Sequence, residues 1–93
     1  MYVKEAVERA KVHIQDLFGD EGVHNVGLEE VEFDDASKTW IVTIGFSRPW
    51  DEPANSLVSI ARQMALPSRS YKVVRIDDRT GEVQSVRNRE TKS

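Results

Sequence analysis

The 93-residue sequence contains no cysteine and only two histidines, His13 and His24. Without cysteine the chain has no disulfide bond, no thiol nucleophile and no thiolate metal site. One histidine lies in the first predicted helix and the other at the start of a predicted strand, which makes a poor zinc site, and we interpret both as structural residues near solvent. We therefore expect neither a metal ion nor another cofactor.

Long apolar runs are also missing. No stretch approaches the roughly 20 residues that a membrane-spanning helix needs. The first residues do not resemble a signal peptide, because charged residues between Lys4 and Lys11 interrupt the apolar positions. We expect a single domain over residues 1–93, in the cytoplasm and without membrane association.

Catalytic patterns are lacking as well. No serine lies in a nucleophile-elbow context. The short segment Gly19–Gly22 contains two acidic residues, which would repel a phosphate group. The pairs Asp34-Asp35 and Asp77-Asp78 suggest a divalent-ion site, but both lie in predicted hairpin turns, where aspartate is favoured because it accepts hydrogen bonds from turn amides. We do not expect an enzyme.

Charge is unevenly distributed along the chain, whose overall net charge is −3. The part up to Pro67 has a net charge of −6, and the part from Ser68 onward has +3. Either the two parts neutralise each other within a small sheet, or the C-terminal part binds an anionic partner.

The first helix is predicted from apolar residues at helical spacing: Val3, Val7, Ala10, Ile14 and Leu17. This one-sided stripe predicts an amphipathic helix over residues 2–18 that must cover a core. Gly19 lies where a C′ glycine would end it.

Four strands are predicted. The first runs from about Val23 to Asp34, with a bulge near Glu29 because the apolar residues change parity there. The second alternates from Trp40 to Phe46. Between them lies a short hairpin loop over residues 34–38.

The connection from Ser47 to Pro53 contains two prolines, which exclude a continuing central strand. A short second helix is predicted over residues 53–65, because apolar residues again recur at helical spacing and Pro67 would end it.

The last two strands form a hairpin, with YKVVRI (Tyr71–Ile76) entering the turn and VQSVRN (Val83–Asn88) leaving it. Gly81 can take the positive φ of a bulged type I turn, and Asp78 is predicted to accept hydrogen bonds from the turn amides. The register then pairs Asp78 with Glu82, Val74 with Val86 and Val73 with Arg87. Residues 89–93 form a frayed tail.

These elements predict an α+β fold in which the N-terminal helix packs on a single four-stranded antiparallel sheet, with a short helix between the second and third strands. The sheet face under the helix is predicted to consist of Val31, Phe33, Trp40, Val42, Ile44, Phe46, Val74, Ile76 and Val86.

The segments VEFDDA (31–36), WIVTI (40–44), YKVVRID (71–77) and DRTGEV (78–83) together resemble the PepSY domain family. The resemblance implies a helix packed on an antiparallel sheet in the cystatin-like manner, and a module without catalytic residues. Family members are associated with inhibiting or chaperoning secreted peptidases. This chain departs from the family in having no export signal and a longer segment from Ser47 to Ser70.

The other sheet face is predicted to be acidic at one edge, basic at the other and apolar between them. It is either a solvated face with cross-strand pairs or a contact surface. A contact surface would bind another protein or a second copy of the chain. A second copy fits because a face with both signs is self-complementary under a two-fold rotation, as in a C₂ dimer. The candidate interaction surface comprises Ile41, Thr43, Tyr71, Val73, Arg75, Arg87 and Arg89, with Arg48 and Trp50 from the following loop.

Three functions fit these expectations. The first is a protein-binding or regulatory module, which uses the sheet face or an exposed strand edge. The second is nucleic-acid binding through the basic C-terminal hairpin, which the acidic pI of about 5.3 disfavours. The third is small-molecule binding in a pocket between helix and sheet, lined by Phe33, Trp40, Phe46 and Met64.

Overall fold

A computed structural model of the chain describes residues 1–48 and 70–89. One α-helix, α1 (Val3–Phe18), precedes four strands: β1 (His24–Asp34), β2 (Thr39–Ser47), β3 (Ser70–Asp77) and β4 (Val83–Asn88). The strands form one antiparallel sheet in the order β1-β2-β3-β4, and α1 packs on one face of it. The predicted α+β fold is therefore confirmed. The predicted helix over residues 53–65, Trp50 and residues 90–93 lie outside the described residues.

Helix α1 buries a shorter stripe of residues than predicted. Ala6, Ala10 and Ile14 are fully buried, whereas Val3 is 47% exposed and Leu17 is 51% exposed. The two alanines explain the difference, because their small side chains let the helix backbone approach the sheet closely and leave the residues at both ends of the predicted stripe outside the contact.

The end of α1 is also more elaborate than a single C′ glycine. Gly19 keeps a right-handed conformation with φ −57°, and the chain continues through a 3₁₀ turn, Gly19–Glu21. The left-handed residue is Gly22, with φ 75°, and its N–H donates to the Gly19 carbonyl oxygen at 3.0 Å. The α-helix thus ends before Gly19 as predicted, but the left-handed conformation typical of a C′ glycine is adopted by Gly22.

The core lies between α1 and the middle of the sheet. Five sheet residues have no exposed surface and pack with the buried residues of α1: Val42, Ile44, Phe46, Val74 and Ile76. Fully burying one side chain of this size contributes about 1.5–3 kcal/mol. The predicted core face is confirmed for these five, with Val31, Trp40 and Val86 partly buried beside them. Phe33 is exposed, and its ring centroid lies 4.8 Å from that of Trp40.

Strand β1 has the predicted bulge and one more. Leu28 pairs with Ile44 but Glu30 pairs with Thr43, which places the extra residue at Glu29 as expected. A second register shift lies between His24 and Gly27. This edge strand is therefore regular only from residue 30 to residue 34.

The β3–β4 hairpin has the predicted register away from its turn. Val74 pairs with Val86 and Val73 with Arg87, and Gly81 has φ 75°. The closing pair is Asp77–Glu82, however, since the Asp77 N–H donates to the Glu82 carbonyl oxygen at 2.9 Å. The predicted Asp78–Glu82 pair is wrong, and the strand regains register through an extra residue between Val83 and Ser85.

The hydrogen bonds of the two aspartates explain why the turn closes at Asp77 and not at Asp78. Oδ1 of Asp77 accepts hydrogen bonds from the N–H groups of Arg79 at 2.8 Å and Thr80 at 3.0 Å, the role predicted for its neighbour. Oδ1 of Asp78 instead accepts from the Trp40 indole Nε1 at 2.8 Å. Contact with β2 therefore decides which aspartate organises the turn.

Candidate functional site

The outer face, by which we mean the sheet face opposite α1, is organised in rows of directly paired residues. One row is Glu30–Thr43–Val73–Arg87, and the next is Glu32–Ile41–Arg75–Ser85. Directly opposite residues of antiparallel strands project to the same side of the sheet. Six residues of the predicted interaction surface therefore share this face: Ile41, Thr43, Tyr71, Val73, Arg75 and Arg87.

Their exposure differs. Thr43 is only 3% exposed and Gly45 is buried, so the second half of β2 offers almost no surface. Ile41, Tyr71 and Val73 are partly exposed, and Arg87 is exposed. A partner that approaches this face would therefore meet mainly side chains of β1, β3 and β4.

Acidic and basic residues lie at opposite margins of the outer face. Glu30 and Glu32 are exposed on β1, and Arg87 is exposed on β4, three strand spacings away. That separation is about 14 Å. The Debye length at physiological ionic strength is about 8 Å, so salt largely screens exposed charges this far apart from each other. Glu30 and Glu32 are therefore largely screened from Arg87, whereas Arg75, on β3 between the margins, does interact with Asp34 of β1.

Arg89 follows β4 and covers one side of Tyr71. Its Cζ atom lies 4.0 Å from the centroid of the Tyr71 ring, and its backbone N–H donates to the Tyr71 carbonyl oxygen at 3.3 Å. A cation–π contact of this kind contributes about 0.5–1 kcal/mol at an exposed site. A nucleobase that stacked on this side of the ring would have to displace Arg89, which disfavours the nucleic-acid hypothesis.

Arg48 lies apart from the other predicted surface residues. Its Cζ atom is 5.1 Å from the ring centroid of Phe18 and 5.2 Å from that of Phe46, beside the end of α1. Its Nη1 atom also lies 3.6 Å from a Glu21 carboxylate oxygen. This places the guanidinium on the helix side of the sheet, so Arg48 does not extend the outer face.

Like Arg48, Lys72 has its side chain near the ring of Phe18, the last residue of α1. Its Nζ lies 5.4 Å from the Phe18 ring centroid and contacts Oδ1 of Asn88. Partial burial, together with the nearby charge of Arg48, lowers the pKa of the Lys72 ammonium group. The last turn of α1 has no basic residue of its own. Arg48, which follows β2, and Lys72 of β3 place positive charge near the negative end of the helix dipole, so we interpret both residues as structural.

A groove beside β4 was not predicted from the sequence. It has a volume of about 580 Å³ and is lined by Glu8, Arg9, Val12, His13, Asp16, Gly81, Glu82 and Val83. The sequence feature that could have indicated this groove is Val12, an apolar residue that lies off the predicted stripe of α1. This residue is 57% exposed in the structure.

The β3–β4 turn is held against α1 at one end of this groove. Nη1 of Arg9 donates to the Gly81 carbonyl oxygen at 3.3 Å, and Nη2 lies 3.2 Å from a Glu5 carboxylate oxygen. A Cβ atom at Gly81 would lie only 2.7 Å from Arg9 Nη1. Glycine is therefore favoured here for its positive φ, and its missing Cβ also leaves room for the Arg9 guanidinium group.

The predicted turn role of the aspartates is confirmed for Asp34 and Asp77. The Ser37 hydroxyl donates to Asp34 at 2.7 Å, and this bond is the main cause of the lowered pKa of Asp34. The N–H groups of Thr80 and Arg79 lower the pKa of Asp77. Within residues 1–48 and 70–89, no group of three or more His, Asp or Glu side chains is arranged to hold a metal ion.

The space between α1 and the middle of the sheet is occupied by the core itself. Phe46, one of the predicted pocket residues, is fully buried there, and Phe33 packs with Trp40. Met64 lies outside the described residues. In the part of the chain that the structure describes, no helix has the length and apolar character to cross a membrane.

No protein-family model, curated protein or solved structure matches this chain. The resemblance to PepSY domains stays a prediction. Function is therefore inferred from the geometry of the sheet.

Proposed function

We propose that this chain is a small non-catalytic protein-binding module that recognises its partner through the outer face of the sheet. One observation carries the proposal: strand pairing places Ile41, Val73 and Tyr71 between an acidic margin on β1 and a basic margin on β4. The partner is another protein or a second copy of the chain.

The two kinds of residue have different roles in this proposal. The partly exposed apolar side chains supply area that a partner can remove from water. The separated charged margins orient the partner and discourage the reverse orientation, because that would bring like charges together. The resemblance to PepSY domains, which also implies a module without catalytic residues, supports the same function. The lack of cysteine supports a cytoplasmic location, which fractionation of cells would test.

Affinity capture with matched charge variants tests the proposal. The tagged wild-type protein, Arg87→Glu and Lys4→Glu are each incubated with lysate, with and without nuclease, and retained proteins are quantified by mass spectrometry. Arg87 and Lys4 are both exposed, but only Arg87 lies on the outer face. We expect a stoichiometric partner that survives nuclease, is retained by Lys4→Glu and is largely lost with Arg87→Glu.

Two results would contradict the proposal. Equal recovery of the same partner by all three proteins would show that the outer face is not the contact. Recovery of many proteins only without nuclease would replace protein binding by nucleic-acid binding. Light scattering measures the molar mass of the purified chain and so shows whether the partner is a second copy of the chain or a different protein.

A further inference from the structure

We propose that β4 and the groove beside it bind one extended segment of the partner protein, which adds to the sheet as a fifth strand. The segment alternates in charge, with basic side chains toward α1 and acidic side chains toward the outer face. This inference rests on the proposed function, because it specifies the form and the chemistry of the partner.

The backbone of β4 has groups available for such a strand. Among the described strands β4 is at the edge of the sheet. The hydrogen bond from Arg89 N–H to Tyr71 O marks these two residues as a bonded pair. Bonded and non-bonded pairs alternate in an antiparallel ladder, so Arg87 also bonds toward β3. The N–H and C=O groups of Val86 and Asn88 then point away from β3, to the side of β4 on which no other strand of residues 1–48 and 70–89 lies.

The opposite edge of the sheet is less suited to this role. Register shifts interrupt β1 between His24 and Gly27 and again between Leu28 and Glu30. Bulges twist an edge strand and break the even spacing of its hydrogen-bonding groups, which discourages another strand from pairing. The run from Ser85 to Asn88 in β4 keeps a constant register with β3.

The groove gives the side chains of an added strand a place on the helix side. Arg9 lies beside Gly81, just before β4, and Phe18 lies beside Lys72, which pairs with the last residue of β4. Helix α1 therefore runs in the same direction as the strand, and the groove lies between the middle of α1 and the turn that leads into β4, as far as Val83. Val12 contributes exposed apolar surface to its wall.

The charges on the two sides of β4 specify the occupant. The groove contains three exposed carboxylates, those of Glu8, Asp16 and Glu82. Its lining also contains His13 and Arg9, whose guanidinium group already contacts Glu5 and the Gly81 carbonyl oxygen. The groove thus favours cationic side chains, whereas Arg87 on the outer side favours anionic ones. Because successive side chains of a strand face opposite sides, only alternation satisfies both.

The first test compares two capped eight-residue peptides of identical composition, one with alternating Lys and Glu and one with four Lys followed by four Glu. Each is titrated into the full ¹⁵N-labelled chain. We expect the alternating peptide to bind at least tenfold more tightly and to shift the amide signals of Val12, Val86 and Asn88. Equal affinity of the two peptides, or no binding of the alternating peptide at millimolar concentration, would overturn the proposal.

The second test uses backbone methylation to detect the hydrogen-bonded ladder. The proposed strand runs antiparallel to β4, like every described pair in this sheet. A residue of this strand that lies opposite Val86 exchanges hydrogen bonds with it and faces the same side, which is the helix side. The Lys positions of the alternating peptide therefore donate N–H groups to β4. We expect N-methylation at the Lys positions to abolish binding and N-methylation at the Glu positions to preserve it. An equal loss of binding after N-methylation at the Lys positions and at the Glu positions would show that the peptide forms no hydrogen-bonded ladder with β4.

Charge variants of the protein separate this inference from the proposed function. Arg87→Glu and Glu82→Lys should each lower the affinity for the alternating peptide at least fivefold, and Lys4→Glu should leave it unchanged. A captured partner that depends on Arg87, together with a peptide that does not bind, would leave the outer face as the contact and overturn strand addition. A partner and a peptide that both ignore Arg87→Glu would overturn both proposals.

Discussion

The two faces of the sheet differ in what their residues do, although the same strands build both. On β2, Val42, Ile44 and Phe46 have no exposed surface and pack under α1, whereas their neighbour Ile41 faces the other side and is partly exposed. The helix side stabilises the fold through apolar burial. The outer side carries opposite charges at its margins. The proposed recognition thus uses the face that does not build the core, and we expect substitutions to alter stability or binding with little effect on the other.

The largest effect is expected from one substitution made on each face. Ile44→Ala should lower the free energy of unfolding by about 2–5 kcal/mol, because it leaves a cavity in the core. Ile41→Ala, three residues earlier on the same strand, should cost about 1 kcal/mol or less, because its side chain is only partly buried. Urea denaturation followed by circular dichroism measures both, and similar losses would contradict the division between the faces.

A second pair of substitutions tests how firmly the helix side holds the β3–β4 turn. Gly81→Ala should cost about 1–2 kcal/mol, because it places a Cβ atom at φ 75° and against the guanidinium of Arg9. Gly19→Ala should be neutral or slightly stabilising, because Gly19 has φ −57° and a Cβ atom added there would meet no other atom within 4 Å. Thermal unfolding of both variants provides the comparison.

A double-mutant cycle separates the two causes of the Gly81 effect. In an Arg9→Ala background, the close contact is absent and only the cost of the positive φ remains. The penalty of Gly81→Ala should therefore be smaller in that background. An unchanged penalty would show that Arg9 moves aside without cost, and that the turn is held by its backbone conformation alone.

The smallest effect concerns pH and is confined to the outer side. Asp77 pairs with Thr39 on this side, and the N–H groups of Thr80 and Arg79 hold its pKa below the usual value. Its ionised form therefore stabilises the folded state above about pH 4, and this contribution is lost as the pH falls through the lowered pKa. Asp77→Asn should be less stable than the wild type at neutral pH, and the difference should shrink in acid. A difference that stays constant from pH 7 to pH 2 would contradict this assignment.

Some features could be predicted because they depend on neighbours in the sequence. The alternation from Trp40 to Phe46 identified β2 and its two faces, since a strand repeats every two residues. Gly81 identified the β3–β4 turn, because few other residues adopt positive φ. Once these were placed, the pairing of Val73 with Arg87 followed, and with it most of the outer face.

Other features of the candidate site could not be predicted in this way. The alternation of β2 does not indicate that Thr43 is only 3% exposed, and the position of Arg48 depends on Phe18, which is 30 residues away in the chain. Among the described residues, α1 contacts mainly the first three strands, and the groove lies between α1 and the turn that precedes β4. None of these relations is encoded in a local repeat.

The helix, the strands and the side of the sheet to which most of their residues project follow from local sequence patterns, because periods of 3.6 and 2 residues are properties of the local backbone. Long-range packing, in contrast, selects which stripe of α1 is buried, which aspartate organises the second turn and where the groove lies. These choices depend on long-range contacts, such as Ala10 against the sheet, Trp40 with Asp78 and Arg9 with Gly81, whose energies become available only when distant segments pack together.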